Sequence, residues 1–311
     1  MFLHLYVMRS DTKPVVSIEE KRSLVKTILV ALTGWNIDNF GRLVYNTKTV
    51  CKMCKKERNM AQKKVLITGM SGLIGGIVRE RLEGQYALSA LNRRPVEGIE
   101  CHQADIADLN AIQPAFEGVD VVVHLAANAS GGATWEDLLY PNIIGTYNVF
   151  EASRQAGVKR VIYASSGSTV SNCEREFPYN TLVEGHYDEA PETWDKLDHN
   201  SLTRPSGLYG CTKVFGEALA RHYTDTSDLS IICLRIGAVT RENRPTQSRT
   251  FSVWCSHRDI AQMVEKCIEA PDSVKFEIFF AVSNNRWSYR DSSHAREVVG
   301  FEPQDSAEDH R

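Results

Sequence analysis

The chain lacks any apolar run long enough to cross a bilayer, so a soluble protein is expected. It also lacks a convincing signal peptide. Met1 to Met8 carries no charged leader, and Arg9, Asp11 and Lys13 follow too soon for a long apolar core. A secretory route is therefore not expected, and a cytoplasmic location is. Internal repeats and low-complexity tracts are missing, which leaves no sign of a repeat array. So is a second Cys-x-x-Cys or a His-x-x-x-His pair. Cys51 and Cys54 supply half of a zinc site where a structural site needs four ligands, and no metal is expected. The remaining cysteines (Cys101, Cys173, Cys211, Cys233, Cys255 and Cys267) lie singly among apolar neighbours, as unpaired thiols in a reducing compartment do.

What is present suffices for a full core: 311 residues, 42% hydrophobic and 24% charged, enough for one large or two small domains. The net charge of −3 points to no nucleic-acid or membrane partner, but it hides an asymmetry. Residues 1–60 hold eleven Lys/Arg against five Asp/Glu, and the remainder holds 25 against 34. The first sixty residues therefore read as a basic N-terminal extension, and residues 61–311 as the catalytic unit. In the extension, Ser17 and Glu20 form a capping-box pattern ahead of an apolar stripe at Leu24, Val25, Ile28, Leu29 and Leu32, which predicts one short amphipathic helix.

Past Met60 the pattern changes. Val65 to Thr68 is a short apolar run that breaks into Gly69, Gly72 and Gly75, and Leu73, Ile77, Val78 and Leu82 then recur at helical spacing. Glycines at a strand-to-helix turn allow a tight backbone and close packing, while the helix start offers free N–H groups to a pyrophosphate. A dinucleotide site over Gly69, Ser71, Gly72, Leu73, Ile74 and Gly75 follows. Further strands are expected at Tyr86–Leu91, Val119–Leu125, Val158–Ser165 and Leu229–Ile236, with helices at Asn142–Ala156 and Lys213–Tyr223 between them. Alternation of this kind predicts a doubly wound α/β fold with a parallel sheet. Ser171–Ser206 is polar and aperiodic, and is expected to be a long loop over the active-site edge.

At the end of the second strand, where a carboxylate usually holds the adenosine ribose about 20 residues beyond the glycines, the chain has Asn92 followed by Arg93 and Arg94. A guanidinium grips a 2′-phosphate that a carboxylate would repel. The cofactor is therefore NAD or NADP, with the local chemistry leaning to NADP. Asp105 is placed either to accept from the adenine amino group or simply to make a turn. Small residues at Leu125, Ala126 and Ala127 let a flat cofactor lie on the backbone, and His124 before them reads as structural.

Two signals carry the chemistry. Tyr163-Ala-Ser-Ser166-Gly167-Ser168 ends a strand, and Tyr209-x-x-x-Lys213 opens a helix. Four residues apart on a helix, Tyr209 and Lys213 share a face, and the ammonium is expected to lower the phenol from its usual ~10. Tyr209 then acts as general acid/base, Ser166 holds the reacting hydroxyl against it, and Lys213 also binds the nicotinamide ribose.

Taken together, Thr68-Gly-x-x-Gly-x-x-Gly75, His124-Leu-Ala-Ala, Asn142-Ile-Ile-Gly-Thr146, Ser165-Ser166 and Tyr209-x-x-x-Lys213 resemble the extended short-chain dehydrogenase/reductases over roughly residues 62–309. Arg204-Pro-Ser-Gly-Leu-Tyr-Gly210, Arg235-Ile-Gly237, Arg249-Thr-Phe-Ser-Val-Trp254 with His257-Arg-Asp259, and Phe301 to Ala307 narrow the likeness to the subgroup of uronate and archaeal-type glucose-6-phosphate dehydrogenases. The resemblance implies a Rossmann-like fold and oxidation of the anomeric carbon of an acidic sugar to a lactone. It implies cofactor contacts at Ile106, Asn142 and Ile236, substrate contacts at Ser130, Ser166, Gly167 and Ser168, and an anion contact at Arg249. Substrate-binding parts then fall mainly in 171–208 and 237–311. A homodimer or higher homo-oligomer is implied too, with the helix from Tyr209 as a candidate interface. The chain departs from the pattern at Gly167-Ser168, where Asn-His usually follows the serine, at Ala238, and at Asn92. Two alternatives remain: a nucleotide-sugar 4-epimerase or dehydratase, for which residues 236–311 are short, and a non-catalytic NAD(P)-sensing protein.

Overall fold

The computed structural model describes residues 62–311. The helix expected near Ser17 and the Cys51/Cys54 pair lie outside the described residues. Seven strands, β1 (Lys64–Thr68), β2 (Ala87–Asn92), β3 (Glu100–Gln103), β4 (Val121–His124), β5 (Arg160–Ser166), β6 (Ser230–Ile236) and β7 (Phe276–Ala281), form one sheet in the order 3-2-1-4-5-6-7. Every neighbouring pair is parallel. The doubly wound α/β expectation is met, with strand ends within two residues of those read from the sequence.

Five longer helices cover the sheet: α1 (Leu73–Leu82), α2 (Gly145–Gln155), α3 (Leu208–Thr226), α4 (His257–Ile268) and α5 (Ser293–Val299). Successive strand residues point to opposite faces, so β1 divides its side chains between two cores. Val65 and Ile67 pack with Val78 and Leu82 of α1 and with Ile260, Met263 and Val264 of α4. Leu66 packs with Val149 and Phe150 of α2 and Ala220 and Tyr223 of α3. The chain changes direction between β1 and β4, and there a crevice opens at the carboxyl ends of the strands.

Two expectations need correction. The helix predicted from Asn142 begins instead as a wide π turn, Leu139–Ile144, and only then continues as α2. Pro141 has no N–H and crowds the carbonyl four residues back, and a wider turn absorbs both defects. Ser171–Ser206 is not a plain loop. It contains a 3-10 turn, Ser171–Arg175, and a helix, Tyr179–Glu184, and closes a third apolar cluster of Leu182, Val253 and Tyr289 with Tyr179, Trp194, Leu197 and Trp287 around it. Its apolar residues follow no period because they pack against partners more than fifty positions away.

Candidate active site

The glycine turn is shaped by its neighbours. Gly69 has φ +72, and a Cβ there would stand 2.8 Å from the Ala126 nitrogen, so the turn lies directly on the strand-end backbone of β4. A Cβ on Gly75 would sit 2.5 Å from the Gly69 carbonyl, so α1 could not approach its own turn. Gly72 caps α1 with no side-chain cap and no acidic residue in the first turn, which leaves the helix start to an anion. Ser71 is exposed beside it, with Leu73 and Ile74 half-buried as the first helical residues.

At the end of β2, Asn92 is buried, and neither its Nδ2 nor its Oδ1 has a partner. A buried amide left unpaired is costly, and ribose hydroxyls at this point would satisfy it. A glycine cradle, an uncapped helix start and an orphaned amide together fit a dinucleotide. Arg93 and Arg94 follow, both exposed. Asp105 makes a turn: its Oδ1 accepts from the Ala107 N–H at 2.9 Å. Ile106 is buried under Gly145, where a Cβ would strike its side chain. Leu125, Ala126 and Ala127 line the crevice half-buried, and Ala126 donates its N–H to Thr68 Oγ1.

Asn142 is engaged within the protein. It is 1% exposed, accepts from the Asn128 N–H, and donates to Asn128 O and Thr212 Oγ1, so it clamps the loop after β4 to α3. Ser130 lies exposed on that loop. His124 is structural, as expected. It shares a 2.8 Å hydrogen bond with Thr68, and burial, helped by the charge of Lys213, lowers it to about 3, so it is neutral.

Ser166 ends β5 opposite Ile236 of β6, and its hydroxyl accepts from the Ser168 N–H. Tyr209 stands one residue into α3, with its phenol near enough to the Ser166 hydroxyl for that group to pull its titration down. Two glycines allow that approach. A Cβ on Gly210 would meet Ser168 O at 2.6 Å, and one on Gly216 would meet the Tyr163 hydroxyl at 2.2 Å. Lys213 is buried, donates to Ala164 O at 2.7 Å, and lies 5.7 Å from the Tyr209 ring centre. Burial lowers it to about 8, against the opposing pull of Cys233 and Glu217. The expected lowering of Tyr209 by Lys213 is not found. Burial raises the phenol above its ordinary 10 and the Ser166 hydroxyl only partly offsets it, because the ammonium points to Ala164 rather than to the phenol oxygen.

Beneath this set lies a network that motif spacing alone does not reveal. Glu217, one helical turn beyond Lys213, accepts from Ser165 at 2.6 Å and from two nitrogens of Arg235 at 2.9 Å. It pins α3 to β5 and β6 beneath the tyrosine.

A charged cluster lies beside this set, joined to it through the Gly167 carbonyl. Arg249 donates through Nε and Nη2 to Glu174 at 2.6 and 2.7 Å. The Tyr289 hydroxyl donates to the same carboxylate, and Arg290 Nη2 lies 3.7 Å from it. Burial raises the Glu174 carboxyl, but the Arg249 hydrogen bonds and the two guanidinium charges prevail and hold it below its usual range. Arg290 also donates to Gly167 O and to the Tyr289 oxygen. A surface hollow lined by Lys64, Ala87, Glu100 and Pro114 opens at the amino ends of β1–β3, away from all these residues.

The model of the NAD dependent epimerase/dehydratase family matches residues 65–273. The chain belongs to this family. Within it, the NAD-dependent glucose-6-phosphate dehydrogenase of Haloferax volcanii is 34% identical over 253 residues, 78% of this chain and 94% of its own length. L-arabinose 1-dehydrogenase (NAD(P)(+)) of the same organism is 30% identical over 255 residues, 78% and 97% of the two chains. The crystal structure of uronate dehydrogenase from Agrobacterium tumefaciens superposes with a TM-score of 0.68 at 33% identity, covering 81% of this chain and 88% of that one. A variant of that enzyme has been solved with NAD. The glycine turn lies between β1 and α1, Ser166 at the end of β5, and Tyr209 and Lys213 in the first turns of α3. Glu174, Tyr289 and Arg290 went unnoticed, since no motif joins them and only the fold does. Glu217 carried a signal, four residues past Lys213 on the same helical face.

Proposed function

We propose that the protein oxidises the anomeric carbon of an acidic sugar to its lactone, with NAD or NADP as acceptor. The observation that carries this reading is the placement of Ser166 at the end of β5 and of Tyr209 and Lys213 at the start of α3, on the carboxyl edge of the sheet and beside a cluster of net positive charge. Ser166 orients the C1 hydroxyl, and the Tyr209 oxygen receives its proton as the C1 hydride leaves. When bound, the oxidised nicotinamide supplies the hydride acceptor and a further positive charge. Lys213 is held by Ala164 O with its ammonium turned from the phenol, so the positive charge that favours an ionised Tyr209 is the one the oxidised nicotinamide would bring. Asn92 in place of an acid, followed by exposed Arg93 and Arg94, supports use of NADP beside NAD.

The test is the absorbance of reduced cofactor when NAD or NADP is mixed with glucuronate, galacturonate, glucose 6-phosphate or L-arabinose. Turnover of the acidic sugars above the neutral one is expected. No turnover of any free sugar, together with interconversion of UDP-sugars, would overturn the reading in favour of an epimerase.

A further inference from the structure

A carboxylate at the anion contact is at odds with an acidic substrate. Glu174 occupies the two-nitrogen fork of Arg249, and an isolated pair of this kind carries no net charge with which to attract an anion. Arg290 changes that balance. Its guanidinium lies 3.7 Å from Glu174 Oε1, the oxygen that Arg249 Nη2 also reaches, held by the Gly167 carbonyl and the Tyr289 oxygen; the Arg290 side chain is 2% exposed, whereas that of Arg249 is 37% exposed and that of Glu174 12%. Arg249 is thus the outward member of the cluster and Arg290 its buried end. The space that Arg290 fills exists because residue 167 has no side chain. A Cβ there would lie 2.0 Å from Nη1 and 2.3 Å from Cζ. Arg290 Nε is buried without a partner, a cost the site tolerates in order to keep the cation.

We infer that Glu174 and Arg290 are positioning residues for Arg249: Glu174 fixes its fork, and Arg290, admitted by Gly167, offsets the carboxylate so that the cluster presents one net positive charge to an anionic sugar group. The ligand chemistry is a carboxylate or phosphate on a monosaccharide, and the inference rests on the proposed function. Its sign is distinctive. Loss of the Glu174 charge leaves two cations, and loss of Arg290 leaves a neutral pair, so the two changes move anion affinity in opposite directions. A purely structural role would weaken binding in both.

Titration calorimetry with glucuronate, glucose 6-phosphate and neutral glucose, in the presence of NADH so that no turnover occurs, tests this on the full chain. E174Q is expected to tighten both acids, and R290Q to weaken them on the order of tenfold. Glucose affinity should change far less than that of either acid. G167N, which evicts the guanidinium without deleting it, should match R290Q, and R290K should restore most of the loss; either keeps the test valid where R290Q folds poorly. The acid with the larger split between E174Q and R290Q identifies carboxylate or phosphate as the natural group. Shifts of E174Q and R290Q in the same direction, equal effects on glucose, or a wild type that binds neither acid better than glucose would each overturn the inference. Opposite shifts in a protein that reduces no cofactor would instead leave the charge cluster standing and sink the dehydrogenase reading.

Discussion

Under the proposed function the chemistry turns on Tyr209, and its surroundings set how hard it must be driven. Burial holds its phenol above 10, so the charges around it must work against desolvation before it can take a proton. Tyr209→Phe removes the acid/base oxygen and keeps the ring. We expect kcat to fall by about 10²–10⁴-fold with cofactor affinity and melting temperature unchanged; steady-state kinetics that show less than a tenfold loss would remove Tyr209 from the reaction. Identity and spacing made Ser166, Tyr209 and Lys213 legible in the chain itself. The direction of the tyrosine's shift was not legible, because it depends on where the Lys213 ammonium points, and that is decided by Ala164 O on a strand 49 positions away.

At the scale of elements, α3 must come close enough to β5 to bring Tyr209 to Ser166. Gly216 permits this by leaving room for the Tyr163 ring, which is itself enclosed by His124 and Phe150. Gly216→Ala would press a methyl onto the Tyr163 hydroxyl. Overpacking of this kind costs about 1–3 kcal/mol, read as a lower denaturant midpoint at unchanged slope; an unchanged midpoint would mean that the tyrosine yields freely. The elements themselves were readable where periodicity was regular: β1 with α1, and the strands β4, β5 and β6. They were obscure where order comes from outside the segment. Pro141 turns the entry to α2 into a π turn, and the segment of residues 171–206 is ordered by Val253, Trp287 and Tyr289 from the far end of the chain. Of the two readings left open for Asp105 the turn is the one seen, through its Oδ1, and Asn142, which the resemblance implied as a cofactor contact, ties two elements together.

For the whole molecule, buried titratable groups set the pH range of stability. His124 titrates at about 3 in the folded chain against 6.5 for a free imidazole. The unfolded chain therefore binds the proton first, and stability is lost as pH falls from about 6.5 toward 3, by on the order of a few kcal/mol. Lys213, lowered by burial to about 8 from 10.5, works at the other end: stability rises between those values as the unfolded chain alone stays protonated. Urea midpoints measured across pH for the wild type and His124→Asn should converge as pH drops toward 3, and parallel curves would refute the imidazole's part in acid unfolding. Size, too, is settled globally. Gly167 and Arg290 are 123 positions apart and share one volume between them. A side chain can appear at 167 only if the guanidinium leaves its place, and the guanidinium can settle there only where 167 is bare. The two positions are therefore coupled: a single change at 167 also relocates the charge at 290, so one mutation at the glycine alters shape and electrostatics of this pocket together.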